Sequence, residues 1–294
     1  MKILFMGADI FASPILETLI AEYDFTITMV VTRPAKPAGR GLRPQPNPIL
    51  SFAKKNNLPT ILIDNVDDWA LVEKEIISSK PDFVLTAALG KIIPENILDL
   101  MPQNFINVHP SLLPNFRGPA PVEEAILSGE NTTGVSIMIM ASKMDAGPLL
   151  ARYRLRFSDI TADVLSQKLS RLAAKKLPSI LIKYQGVKIK PTPQNEQQAT
   201  YTHIITKKDG DISSDDASVI YRKFLAYYPW PGIFFTSAGK QIKIIDCELS
   251  DDKKTLLINS LRVAGKNTIS AREFSNGYRN LLTKFPKNVK LNLL

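Results

Sequence analysis

The chain has 294 residues and a formal net charge of +9, with 45% hydrophobic and 22% charged residues. That length suits two domains better than one core, and the composition is that of a globular protein, not of a disordered or fibrous one. A single cysteine, Cys247, excludes a disulfide framework or a cysteine-based zinc site within one chain and fits a reducing cytoplasm.

The N-terminal run MKILFMGADIFASPILETLI pairs a charge with an apolar stretch, as a signal peptide does. Gly7, Asp9 and Pro14 interrupt it, so it reads as strand, turn and helix. No stretch approaches the length of a membrane span. Short apolar strands are expected at 2–6, 26–31, 59–63, 83–88 and 105–109. Helical spacing lies between them at 11–21, 47–55, 66–79 and 95–100. This alternation predicts an α/β fold, a mostly parallel Rossmann-like sheet with helices on both faces. Residues 134–140 read as a further strand ending in a loop at 141–148. Residues 161–184 have helical spacing, with Pro178 as a point where the helix kinks or breaks. The polar run KPTPQNEQQ at 190–198 reads as a linker. A helix at 215–226 and the turn YYPWPG follow, then strands at 233–236, 241–248 and 256–263. These predict a small, β-barrel-like (OB-like) terminal module. The expected division is 1–189, a linker over 190–204, and 205–294.

Charge is unevenly spread. Residues 1–199 carry 22 basic and 19 acidic groups, whereas 200–294 carry 15 and 9. The smaller part thus holds most of the basic excess, which suits a polyanionic partner without requiring one.

The run INVHPSLLPNFRGPAP, residues 106–121, starts as a strand and breaks on Pro110. Asn107 and His109 point the same way, because strand side chains alternate with period two. They sit at a strand end, where ligands of such sheets bind. Only two histidines, His109 and His203, occur in the chain, which argues against a histidine metal cluster. No serine lies in a nucleophile-elbow context, and Gly7 begins no full dinucleotide fingerprint. Asp145, in the loop Met144-Asp145-Ala146-Gly147, completes a candidate trio. An asparagine amide and a histidine oriented by a carboxylate can stabilise an oxyanion during acyl transfer. A substrate amine would be the nucleophile, and Asp145 could relay its proton. Each residue alone also fits a plainer role, as a capped surface histidine or a turn-forming aspartate.

The segments Asn107-Val108-His109-Pro110-Ser111-Leu112-Leu113-Pro114, Phe116-Arg117-Gly118, Thr133-Gly134-Val135 and Asp145-Ala146-Gly147 together resemble the signature of the formyltransferases that use 10-formyltetrahydrofolate. The resemblance implies that Asn107, His109 and Asp145 are the catalytic trio and that Ser111, Leu112, Leu113 and Pro114 border the folate. It implies 10-formyltetrahydrofolate as donor and no metal. Within the family, RPAKPAGRGLRPQPNP at 33–48, with Lys36, Arg40 and Arg43, resembles the loop by which the branch acting on methionyl-tRNA grips its tRNA. Met138 stands where other branches more often have histidine. Gln198-Ala199-Thr200-Tyr201, Lys207, Pro229-Trp230-Pro231-Gly232, Gly265 and Phe274 to Tyr278 resemble parts of a tRNA-binding terminal domain. That domain is shortened between Trp230 and Gly265, Ile204-Ile205-Thr206-Lys207-Lys208 replaces the usual Lys-Ile-x-Lys-Glu, and Glu123 replaces a common Gln.

The expectation is a cytoplasmic monomer that formylates initiator methionyl-tRNA. A sugar-nucleotide amine is the alternative acceptor. Formyl hydrolysis, or RNA binding without turnover, are further rivals. Trp230 is expected as a packing residue, Cys247 in a core, and Arg152, Arg154 and Arg156 on one face of a solvated edge strand.

Overall fold

The computed structural model of the chain describes residues 1–21, 24–38, 43–45, 47–213 and 215–293, without the side chains of 36–46 and 282–284. Backbone contacts divide the chain into two compact units. The first holds Met1–Pro121, Thr132–Arg156 and Ser166–Thr202, and the second Val122–Asn131, Phe157–Leu165 and His203–Leu294.

In chain order the elements are β1 (Lys2–Gly7), α1 (Ser13–Ala21), β2 (Thr26–Thr32), β3 (Lys36–Ala38), β4 (Arg43–Gln45), α2 (Pro48–Lys55) and β5 (Thr60–Leu62). They continue as α3 (Trp69–Ser79), β6 (Phe83–Ala87), α4 (Glu95–Leu98), β7 (Phe105–His109), α5 (Pro121–Leu127), β8 (Thr132–Ile139), β9 (Leu149–Arg156) and α6 (Ala162–Gln185). Seven strands form one sheet in the order β5-β2-β1-β6-β7-β8-β9. From β5 to β7 all neighbours are parallel, while β7–β8 and β8–β9 are antiparallel. The expected α/β sheet is therefore present, with an antiparallel edge. The order reverses between β1 and β6, and a crevice opens at such a reversal beyond the strand ends. Strand β7 is the next one out.

Buried strands explain why apolar residues run almost unbroken through β1 and β6, since both faces of a parallel sheet are covered. One face carries Leu4, Met6, Val31, Val84 and Phe105, packed with Trp69, Val72 and Ile76 of α3. Helix α6 does not end at Pro178. Its Leu169, Ala173, Leu177 and Leu181 are fully buried at four-residue spacing, and this packing offsets the one backbone bond that proline removes. Segment 33–48, read as a loop, carries the short hairpin of β3 and β4, with Lys36 opposite Gln45 and Ala38 opposite Arg43.

The second unit has α7 (Ala217–Ala226), β10 (Ile233–Ser237), β11 (Lys240–Leu249), β12 (Leu256–Val263), β13 (Thr268–Ser270), α8 (Ala271–Gly277) and β14 (Val289–Leu291). Strands β10 to β13 are antiparallel neighbours, and β14 pairs with β12 in parallel. Among the described residues the ends of this sheet do not pair with each other, so the module is an open sheet. Cys247 is buried in it, and burial pushes its thiol pKa up. Trp230, expected as a packing and turn residue, does sit in the turn over 227–231 but is 61% exposed rather than packed. Among the described residues no helix is long and apolar enough to cross a membrane.

Helix α2 shows how one polar residue ties sheet to helix. The buried Asn47 caps it by accepting from Ile49 N at 2.9 Å and Leu50 N at 3.2 Å. Its amide donates to Thr32 Oγ1 at 2.8 Å and Arg33 O at 2.5 Å, at the end of β2. Asn47→Ala should lower stability by about 1–2 kcal/mol, read as an earlier midpoint in denaturant unfolding.

Candidate active site at the end of strand β7

On β7, Phe105, Asn107 and His109 share one sheet face. Strand β8 places Met138 opposite Asn107 and Ser136 opposite His109. Asp145 comes from the loop between β8 and β9. The structure brings the three expected side chains together. Asp145 Oδ2 lies 3.7 Å from His109 Nδ1, and Asp145 Oδ1 is 3.5 Å from the Asn107 amide nitrogen, which donates. Both contacts are long, so neither is a tight hydrogen bond.

The remaining bonds fix orientation. His109 is 4% exposed, and its Nε2 lies 2.9 Å from Phe116 O. A carbonyl only accepts, so Nε2 carries a hydrogen and Nδ1 faces the carboxylate. The backbone N–H of Gly118 donates to Asp145 Oδ2 at 2.8 Å. Gly118 has φ +113°, and a Cβ there would stand 2.8 Å from Thr202 Oγ1. Gly147 is needed for closeness alone, because a Cβ would lie 1.8 Å from Ile139 O. Phe116 at φ +61° and Asp145 at φ +50° occupy the left-handed region, which costs non-glycine residues energy and persists only where surroundings enforce it.

The Ser111–Pro114 turn is braced from β8 and β9. Ser136 Oγ accepts from Leu113 N at 3.0 Å and donates to Ser111 O at 2.7 Å. Ser111 Oγ donates to Asn115 O at 2.6 Å, and Arg152 Nη1 donates to Leu113 O at 2.9 Å. Ser111, Leu113 and Pro114 are buried, and Leu112 is half-buried. Arg152, Arg154 and Arg156 are exposed on β9. The register from His109 through Ser136 to Arg152 puts all three on the face that carries His109.

A cavity of about 520 Å³ opens on the same face. Phe105, two residues before Asn107, lines it together with Leu98, Met101, Met140 and Ala141. A second cavity of about 290 Å³ is lined by Pro114, Arg152 and residues of the 192–198 stretch. Among the described residues no group of three or more His, Cys, Asp and Glu could hold a metal ion. Of the expected tRNA contacts, Arg40 and the side chains of Lys36 and Arg43 lie outside the described residues.

Sequence reading missed the residues that hold the site from the linker. Arg117 is fully buried. Its guanidinium donates to Gln194 Oε1 from Nε and Nη2 at 3.2 and 2.9 Å. It also donates to Glu196 Oε2 and Oε1 at 3.2 and 2.7 Å and to Tyr201 OH at 3.1 Å. A signal was available. Glu196 is the one charged residue between 191 and 202, and a lone acid in a neutral stretch has a cation to meet.

The formyl transferase model matches residues 1–181, and that of the formyl transferase C-terminal domain matches 204–256. A methionyl-tRNA formyltransferase of Caldicellulosiruptor saccharolyticus is 37% identical over 309 residues, covering 95% of this chain and 97% of its own. That of Campylobacter lari is 36% identical over 304 residues, with 95% and 97% covered. Among solved structures, the methionyl-tRNA formyltransferase from Clostridium thermocellum superposes with a TM-score of 0.60 at 17% identity, over 92% of this chain and 99% of that one, a likeness of fold. By these matches the chain belongs to the formyl transferase family.

Proposed function

We propose that this chain transfers the formyl group of 10-formyltetrahydrofolate to the α-amino group of initiator methionyl-tRNA. The observation that carries the chemistry is the meeting of Asn107, His109 and Asp145 at the end of β7. The relatives matched along almost their whole length carry the acceptor. In this reading residues 1–189 perform the reaction, 190–204 link, and 205–294 bind tRNA. The protein acts as a cytoplasmic monomer.

The amine forms a bond to the formyl carbon, the carbonyl oxygen gains charge, and the carbon–nitrogen bond to the folate then breaks. The amine's proton leaves for the folate nitrogen. An α-amino group with a pKa of about 8 is accessible in its neutral form. The Asn107 amide and the Nδ1–H of a protonated His109, whose Nε2–H stays on Phe116 O, stabilise the oxyanion; Asp145, 3.7 Å from that Nδ1, orients the imidazole, and the proton passes by way of Asp145 or a water. Long contacts in the free enzyme suit groups that tighten onto a bound substrate.

The cavity of about 520 Å³ has the size of a small-molecule site, with Leu98, Met101, Phe105 and Met140 beside Glu95, Asp99, Gln103 and Ser142 on its walls. It shares the Asn107 face, so a donor seated there presents its formyl group to the trio. Ser111, Leu112, Leu113 and Pro114, which lie outside the lining of that cavity, border the donor at the trio's end of β7. Lys36, Arg40 and Arg43 meet tRNA phosphates. The three exposed arginines of β9 on the His109 face favour an acceptor with many phosphates over a small amine.

Three outcomes follow. Asn107→Ala and His109→Ala should each lose turnover by roughly 10²–10³ while melting like wild type; unchanged turnover in either removes that residue's role. Ala141→Trp, at the exposed mouth of the cavity, should raise the donor KM about tenfold or more in initial-rate assays. Charged initiator tRNA should be formylated in preference to charged elongator tRNA and amino-sugar nucleotides, with binding that weakens steeply as salt rises. Faster turnover of the sugar nucleotide would give the acceptor role to it instead.

A further inference from the structure

The segment between α6 and the second unit does more than span a distance. Thr192 pairs with Leu149 through backbone bonds of 2.8 and 2.9 Å. Thr200 O accepts from Arg117 N at 2.9 Å, and Thr200 Oγ1 accepts from Phe116 N at 2.8 Å. Thr202 N donates to Arg117 O at 2.7 Å, and Thr202 Oγ1 accepts from Ala120 N at 3.1 Å. These bonds stitch residues 192–202 to both loops that form the candidate site.

Gln194 stands where the two loops meet. Its Nε2 donates to Asp145 O and to Gly147 O, each at 2.8 Å. Its Oε1 accepts from Arg117. The amide cannot be turned over, because guanidinium only donates and carbonyls only accept. Asp145 has φ +50°, a conformation that needs support from outside its own loop. Gln194 supplies it with two bonds on adjacent turns of that loop.

We infer that Gln194 is a positioning residue. It acts through the backbone of Asp145 and Gly147 to hold the Asp145 carboxylate against His109 and Asn107, while buried Arg117, itself held by the exposed Glu196, locks Gln194 in place. This rests on the functional reading above. Arg117 and then Lys143 hold the Glu196 carboxyl down at about 2, so the lock stays ionised at any pH used for assay. Lys143 closes on the same carboxylate at 2.5 Å.

The two halves of the amide can be separated. Gln194→Glu keeps the acceptor facing Arg117 and removes both donors to the Asp145 loop. Gln194→Met removes donor and acceptor without adding charge. With charged initiator tRNA and 10-formyltetrahydrofolate, both variants should lose kcat by about 10–100-fold, with KM for each substrate within about twofold of wild type. Gln194→Glu should melt below wild type, because one carboxylate oxygen keeps Arg117 while the other faces the Asp145 and Gly147 carbonyls with no proton to donate, so kcat is read at a temperature where the variant is fully folded. Wild-type kcat in Gln194→Glu overturns the inference. So does loss in Gln194→Glu with none in Gln194→Met, which makes the effect one of charge. A wild-type protein that transfers no formyl group overturns the functional reading and this inference together.

Discussion

A guanidinium with no access to water must find its whole complement of acceptors in the protein. Arg117 is that group, and its five bonds to Gln194, Glu196 and Tyr201 come from residues 77 to 84 positions away. Burying a charge without such partners costs far more than any single contact returns. The loop after β7 can therefore take its conformation only when the 192–202 segment lies across it. The same segment then reaches the Asp145 loop. One buried cation thus decides where two loops from separate parts of the sheet come to rest, and every distance among Asn107, His109 and Asp145 depends on it.

Support of this kind holds the site at its edges while the contacts among its three side chains stay long. The carboxylate of Asp145 has one short bond, from Gly118 N, and its contacts to His109 and Asn107 are longer. A carboxylate bound tightly to both side chains would compete with a substrate oxygen for the same donors. Left-handed backbone at Phe116 and Asp145 is a local cost of aiming these groups inward. The surrounding bonds from Thr200, Thr202 and Gln194 offset it.

How much of this could be read from the chain varies with the range of the interaction. Strands β1, β2, β6 and β7 were legible to within a residue or two, because their burial is written in local apolar runs. Helix α6 was legible except at Pro178, where propensity argued for a break and packing on the sheet prevailed. Helix α5 was missed, since it begins directly at Pro121 in a run that reads as loop, as were the three-residue strands β13 and β14, too short for any period. Asn107 and His109 showed themselves by alternation and by their place at a strand end. Asp145 was singled out as a loop acid, but nothing local told that it meets them, because periodicity carries no information across 38 residues. Gln194 was read as linker polarity. Its partners are carbonyls, which every residue has, so nothing in the sequence marks it.

The face shared by Phe105, Asn107, His109 and Arg152 also bears on the order of construction of the reaction. A cavity begins at Phe105, the polar trio follows at Asn107 and His109, and the arginines of β9 lie two strands across at the level of His109 and beyond. In the proposed reading the donor reaches the trio from the Phe105 end, and the acceptor's phosphates are met by the arginines on the other side. Long-range attraction acts on phosphates well before contact, whereas the amine must arrive uncharged to attack. In the proposed reading the guiding cations stand on the edge strand β9, two strands from the trio's β7, which separates the charge that guides the acceptor from the charge that the reaction develops.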